Sequence, residues 1–175
     1  CTIAPRTDCR LPIQPRGAAV DLKNKPGGEH DALQWTWNAA GGTTAEELSV
    51  PSLSPDYELC VFDETAGNAS LVLGARPAIG LCGNASCWGN AGGASRYKDR
   101  AGSADGLTSI QLRAKPSRVK LQVKAKGASL LLPSMPLVDD PGVIVELRRR
   151  NGACWTSRFE TPTTNTAERF KSKSE

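Results

Sequence analysis

The sequence has a single histidine, few aromatic residues (5%) and no long hydrophobic run. A membrane-crossing helix needs roughly 18 consecutive apolar residues, and no segment approaches that, so no transmembrane segment is expected. The only imidazole, His30, lies in the turn-like segment Pro26-Gly27-Gly28-Glu29-His30-Asp31. A Ser-His-Asp or Cys-His site needs a base held in a rigid shell, which a loop tip does not supply. Cys82 and Cys87 lack the companion ligands of a zinc site. Paired carboxylates are the hydrolytic option that needs no histidine. The acidic candidates Glu46-Glu47, Asp56, Asp63-Glu64, Asp99, Asp105 and Asp139-Asp140 fall in expected loops or strand ends without a catalytic motif around them. No enzymatic activity is expected. The chain also lacks an initiator Met and a signal peptide, opening at Cys1 as a processed secreted protein does.

What is abundant points to strands and turns. Gly 17 and Pro 12 suit many short elements better than long helices. The length fits one domain, 1–175, with a Pro-rich N-terminal arm over 1–16. A net charge of +4 is mildly basic, short of a dedicated nucleic-acid binder. Six cysteines, an even number, indicate an oxidising compartment. Proximity pairs Cys1 with Cys9 across the arm and Cys82 with Cys87 across a turn. Cys60 and Cys154 each lie in a strand on the side opposite its large apolar residues, so they are expected to bridge each other.

Period-two alternation marks the strands. Ala18–Lys23 and Leu33–Asn38 form a first hairpin, with Leu33, Trp35 and Trp37 on the apolar side. Tyr57–Phe62, Ser70–Leu73, Arg96–Lys98, Ser109–Arg113 and Arg118–Lys126 follow, and Arg169–Ser172 closes the set. Thr43 with Glu46 makes a capping-box pattern for one helical turn. Asn-Gly between apolar runs is a strong hairpin signal, and Arg150-Asn151-Gly152 is read as a three-residue loop. That register sets Leu147 against Trp155, Val145 against Ser157 and Val143 against Phe159. About ten short strands with at most one short helical turn predict an all-β antiparallel sandwich or jelly roll.

Four features are candidates for binding. Lys120, Lys124 and Lys126 form a basic row, with Arg113, Lys115 and Arg118 nearby, that suits an acidic polysaccharide or another anionic surface. No exposed aromatics interleave with it, which disfavours nucleic acid. Trp88 lies in a Gly-rich, disulfide-bounded loop outside the core pattern and is the candidate for sugar stacking. Asp99 and Asp105 bracket a turn that offers carboxylate oxygens to calcium, although the full EF-hand pattern is missing and Asp also starts turns unaided. Cys1 has the position of a lipid-bearing residue, but lipidation would orphan Cys9.

The chain resembles a group of uncharacterised secreted bacterial proteins. The resemblance is carried by Cys1…Cys9, Leu33-Gln34-Trp35-Thr36-Trp37, Tyr57-Glu58-Leu59-Cys60-Val61-Phe62-Asp63 and Cys87-Trp88. Tyr97-Lys98-Asp99 with Asp105-Gly106, Val123-Lys124-Ala125-Lys126-Gly127, Gly152-Ala153-Cys154-Trp155 and Phe170-Lys171-Ser172-Lys173 complete it. It implies an exported, disulfide-bonded β-sandwich and transfers no catalytic residues. The expectation is a secreted, non-enzymatic structural or self-associating surface protein, such as an extracellular fibre or matrix subunit. Its intersubunit contacts are expected at the Cys1–Cys9 arm and the Phe170 strand. The alternative is a carbohydrate- or ligand-binding module.

Overall fold

The computed structural model describes residues 1–49, 57–91, 94–150 and 152–175. Strands β1 (Ala18–Lys23) and β2 (Ala32–Ala39) form the first hairpin, and helix α1 (Ala45–Leu48) follows it. Then come β3 (Tyr57–Thr65), β4 (Asn68–Ala75), the two-residue strands β5 (Leu81–Cys82) and β6 (Ala85–Ser86), β7 (Trp88–Ala91) and β8 (Ala94–Lys98). A long hairpin joins β9 (Leu107–Lys115) to β10 (Arg118–Lys126). The chain ends with β11 (Val143–Arg149), β12 (Cys154–Phe159), β13 (Thr164–Thr166) and β14 (Arg169–Lys173).

The strands build an all-β antiparallel sandwich. One large sheet has eight strands in the order β13-β14-β1-β2-β10-β9-β8-β7, the facing sheet has four in the order β12-β11-β3-β4, and β5 and β6 pair in a small ribbon of their own. Fourteen strands are present among the described residues where about ten were expected. The unexpected ones are β5, β6, β7 and β13, which run for only two to four residues. No stretch that short completes enough of an alternation to be recognised.

One apolar cluster fills the space between the sheets, drawing Leu22, Trp35, Leu121 and Ile110 from the larger sheet and Leu59, Val145 and Trp155 from the smaller. Each such side chain contributes about 1.5–3 kcal/mol on leaving water. The indoles also latch one layer to the other. Trp35 Nε1 donates to Ser157 Oγ at 2.8 Å, and Trp37 Nε1 donates to the Thr156 carbonyl at 3.1 Å. The last hairpin has the expected register, with Leu147 opposite Trp155, Val145 opposite Ser157 and Val143 opposite Phe159. Arg149 N donates to Ala153 O at 2.7 Å, and Gly152 takes φ 102°, the glycine-favouring backbone the loop requires. Asn151, the other turn residue named above, lies outside the described residues, as does Asp56.

The capping box sits one residue later than expected. Thr44 Oγ1 accepts from the Glu47 amide at 3.2 Å, and Glu47 reaches back to the Thr44 amide at 2.8 Å. Thr43 is used elsewhere, accepting from Trp155 Nε1 at 2.9 Å. No helix among the described residues is long and apolar enough to cross a membrane.

Two of the three expected disulfides are corrected. The bridges are Cys1–Cys60, Cys9–Cys154 and Cys82–Cys87, and only the last pair matches the expectation. Cys60 and Cys154 do share an outward face, but β11 runs between their strands. Two strand spacings amount to about 9.6 Å, beyond the roughly 7 Å Cα separation that a disulfide can close. The arm supplies both partners instead. It crosses the outer face of the small sheet, pinned at Cys1 and at Cys9, and adds a parallel bridge from Arg10 to Trp155 at the β12 edge. Beneath it Glu146 and Arg148 are enclosed at 0% and 3% exposure. Arg148 Nε donates to Glu146 at 2.6 Å and its other nitrogens donate to Thr2 Oγ1 and the Ala4 carbonyl, while the Arg6 amide donates to Glu146 at 3.0 Å.

The two segments expected to meet a neighbouring copy are therefore engaged within the chain. The arm is stapled to its own sheet, and β14 lies between β1 and β13 with Phe170 fully buried.

Candidate anion-binding face

The site begins with alternation in β10. Val119, Leu121, Val123 and Ala125 point into the core, so Arg118, Lys120, Lys124 and Lys126 must point away from it. Register then decides which side chains stand beside them. On one flank, β9 brings Arg113 opposite Lys120, Gln111 opposite Gln122 and Ser109 opposite Lys124. Beyond it, β8 brings Arg96 opposite Gln111 and Lys98 opposite Ser109. On the other flank, β2 places Asn38, Thr36 and Gln34 opposite Lys120, Gln122 and Lys124. Farther out, β1 contributes Asp21 and Lys23, and β14 contributes Arg169, Lys171 and Lys173.

Among the described residues, the strands of the large sheet thus bring to its outer face more than half of the chain's 22 Lys and Arg and, of the carboxylates, Asp21 alone. Asp21 is neutralised locally, because Arg169 grips it through two hydrogen bonds of 2.9 and 2.8 Å. Among the described residues, Lys98, Lys120, Lys124 and Lys126 have no acidic partner and stand exposed. Their ammonium groups repel one another, so an anion laid over them relieves a field as well as forming contacts. The surface is furrowed. A cleft of about 610 Å³ opens between Arg96, Lys98, Arg100, Gln111, Lys124 and Lys126. A smaller depression of about 200 Å³ shares Thr108, Lys124 and Lys126 with it and continues to Lys23 and Gln34.

Lys120, Lys124 and Lys126 are therefore brought into one face as the sequence suggested, together with Arg113, Lys115 and Arg118. Arg96, Lys98, Lys171 and Lys173 were missed. Their signal was a cation at every second position, in Arg96-Tyr97-Lys98 and Lys171-Ser172-Lys173, around buried Tyr97 and Ser172.

Trp88 does not join this face. It pairs with Tyr97 across β7 and β8, on the core-facing side of the sheet, and packs against the core half-buried. Its ring stacks on Tyr57 at 5.7 Å and tilts against Tyr97 at 5.3 Å. Its Nε1 is buried and has no hydrogen-bond partner among the described residues. The exposed sugar-stacking platform suggested by its Gly-rich surroundings is corrected to an edge-of-core aromatic, because the short strand β7 imposes its own alternation.

Asp99 and Asp105 are each engaged by hydrogen-bond donors of the protein. Burial opposes ionisation of Asp99, but the Ser103 hydroxyl and amide, both at 2.7 Å, and the Ala101 amide at 3.0 Å outweigh it and hold its carboxyl below the usual range. Asp105, at φ 48°, turns away and accepts from the Arg76 amide at 2.9 Å. The turn that offered carboxylate oxygens to calcium has its Asp99 carboxylate held by the turn's own N–H and O–H donors. His30 is exposed in the β1–β2 turn.

A second concentration of charge lies at the end of β3. Both Asp63 oxygens accept backbone amides, from Val138 at 2.8 Å and Asp139 at 2.9 Å, and Arg158 pairs with Glu64 at 2.6 Å. Burial, reinforced by Asp63, Glu160 and Glu64, pushes the Asp139 carboxyl up to about 6. Asp63 and Glu64 thereby pin the 138–142 loop to the sheet. Elsewhere, Cys1, Glu58 and Cys60 converge, as do Asp8, Cys9 and Cys154. Their sulfurs are joined in disulfides and offer no thiolate to a metal.

Comparison with known proteins returns no match: no family model fits the chain, and no curated protein and no solved structure matches it.

Proposed function

We propose that the protein is an extracellular binding module that holds an anionic polymer on the outer face of its large sheet. One observation carries this reading: cations are segregated onto one uncovered sheet face while the chain as a whole is only +4. A solvated face needs charge of either sign for solubility. It does not need Lys98, Lys120, Lys124 and Lys126 to stand together without counter-charges. The three disulfides support placement in an oxidising compartment. The fibre or matrix-subunit reading would have to use edges other than the arm and β14, and no geometry favours it over binding.

The test is titration of the protein with fluorescent dextran sulfate and with uncharged dextran at several salt concentrations. Saturable binding to the sulfated chain alone is expected, with log K falling linearly against log salt, because each phosphate- or sulfate-like charge paired releases a counterion. The variant Lys124→Glu/Lys126→Glu is expected to bind at least tenfold more weakly. Equal binding by that variant, or equal binding of uncharged dextran, overturns the proposal.

A further inference from the structure

We infer that the occupant of this face is a linear acidic polysaccharide, bound by the lysines through its acidic groups and by Gln34, Gln111 and Gln122 through its hydroxyls. The inference rests on the anion-binding reading above and narrows it to one class of polymer.

The face is not uniformly cationic. Its centre is a neutral, strongly hydrogen-bonding strip that charge alone does not explain. Gln111 and Gln122 stand directly opposite each other on β9 and β10, and Gln34 stands opposite Lys124 on β2. None of the three amides has a hydrogen bond within the described chain, and all three are exposed or half-exposed. Each primary amide offers two donors and a carbonyl acceptor on one group. Free amides of this kind suit vicinal hydroxyls, which both donate and accept.

The cations border this strip at intervals. Along one line across the strands, Lys98 and Lys124 are separated by Ser109, which places them about 10 Å apart at two strand spacings. Along another, Lys126 and Lys23 are separated by Ala32, again about 10 Å. In both lines an uncharged residue separates two cations, and a chain of acidic sugars alternates in the same way, with hydroxyl-bearing ring carbons between successive acidic groups. A polyphosphate presents charge without intervening donors and would leave the amides unused. A single-stranded nucleic acid presents bases that need π-faces to stack upon. The aromatics nearest this face, Tyr97 and Trp88, belong to the core-facing side of their strands.

The test compares polygalacturonate, polyphosphate and oligo-dT of matched charge in the same buffer, using the wild type, Gln111→Ala/Gln122→Ala and Lys124→Glu/Lys126→Glu. Polygalacturonate is expected to bind tightest. Loss of the two amides should weaken it roughly tenfold, at about one net hydrogen bond per amide, while polyphosphate changes less than twofold and the salt slope stays constant. Unchanged thermal melts will show that the amide variant is folded. If polyphosphate or oligo-dT binds as tightly as polygalacturonate, or if the amide variant weakens all three equally or none, the polysaccharide inference falls while polyanion binding stands. If none of the three binds, the underlying reading falls with it.

Discussion

Lys124 on the large sheet and Glu146 on the small one occupy the same phase of the same pattern. Each is the polar member of an alternating strand, and each points away from the shared core. Lys124 ends in water, whereas Glu146 ends at 0% exposure beneath the N-terminal arm. Alternation therefore specifies which side of a sheet a residue takes, and nothing about what lies on that side. The covered face had to satisfy its charges internally, through Arg148, Thr2, Ala4 and the Arg6 amide. The uncovered face leaves Lys98, Lys120, Lys124 and Lys126 without acidic partners among the described residues.

The comparison can be broken first at the staples. Replacing Cys9 and Cys154 together by Ala removes a bridge spanning 145 residues, which the chain-entropy model values at about 5 kcal/mol. Replacing Cys82 and Cys87 removes one spanning 5 residues, worth about 2 kcal/mol by the same model. Urea midpoints should fall in that order. If the Cys82–Cys87 variant is the less stable of the two, the arm is not what secures the small sheet.

The buried pair comes next. Arg148→Ala strands Glu146 in a site without water, and a loss of about 3–5 kcal/mol is expected from chemical melts. Glu146→Leu/Arg148→Met should recover most of that loss, because uncharged side chains of similar volume need no partner. A single variant as stable as wild type would mean that water reaches Glu146 and that the two faces are alike after all.

The smallest effect sharpens the contrast from the other side. Lys124→Gln and Lys171→Gln are surface changes without partners to break, so each should shift stability by less than about 0.5 kcal/mol. A larger gain from either, read in the same melts, would show that cationic repulsion on the open face strains the fold.

Much of the architecture was legible because strand periodicity and turn chemistry are local. Val119 to Ala125 and the Val143–Phe159 pairing needed only neighbouring residues to be read. The arm was not legible beyond its composition, since residues 1–16 have no period and their position depends on where two bridges happen to land. The disulfide pairing failed for a related reason. The facing of Cys60 and Cys154 was correct, but their separation depends on β11 entering between β3 and β12. The basic face was legible in its central row alone. Lys98 and Lys171 reach it through a strand order that places β8 and β14 on opposite flanks of β10. Gln34, Gln111 and Gln122 carried no signal, because a free amide looks like any solvated residue until its neighbours are known.

The position of β14 bears on how the chain acquires this shape. It pairs with β1 over five residues, Ala19 with Lys173 through Lys23 with Arg169; beyond them the Ser174 amide donates to the Ala18 carbonyl and the Ala18 amide donates to Ser174 Oγ. Strand β1 can zip against the neighbouring β2 as soon as the turn between them closes, but its other backbone edge stays bare until β14, far along the chain, reaches it. The larger sheet is then completed by a pairing between segments far apart in the chain. Such non-local pairing slows folding, because a long loop must close before its contacts repay the entropy.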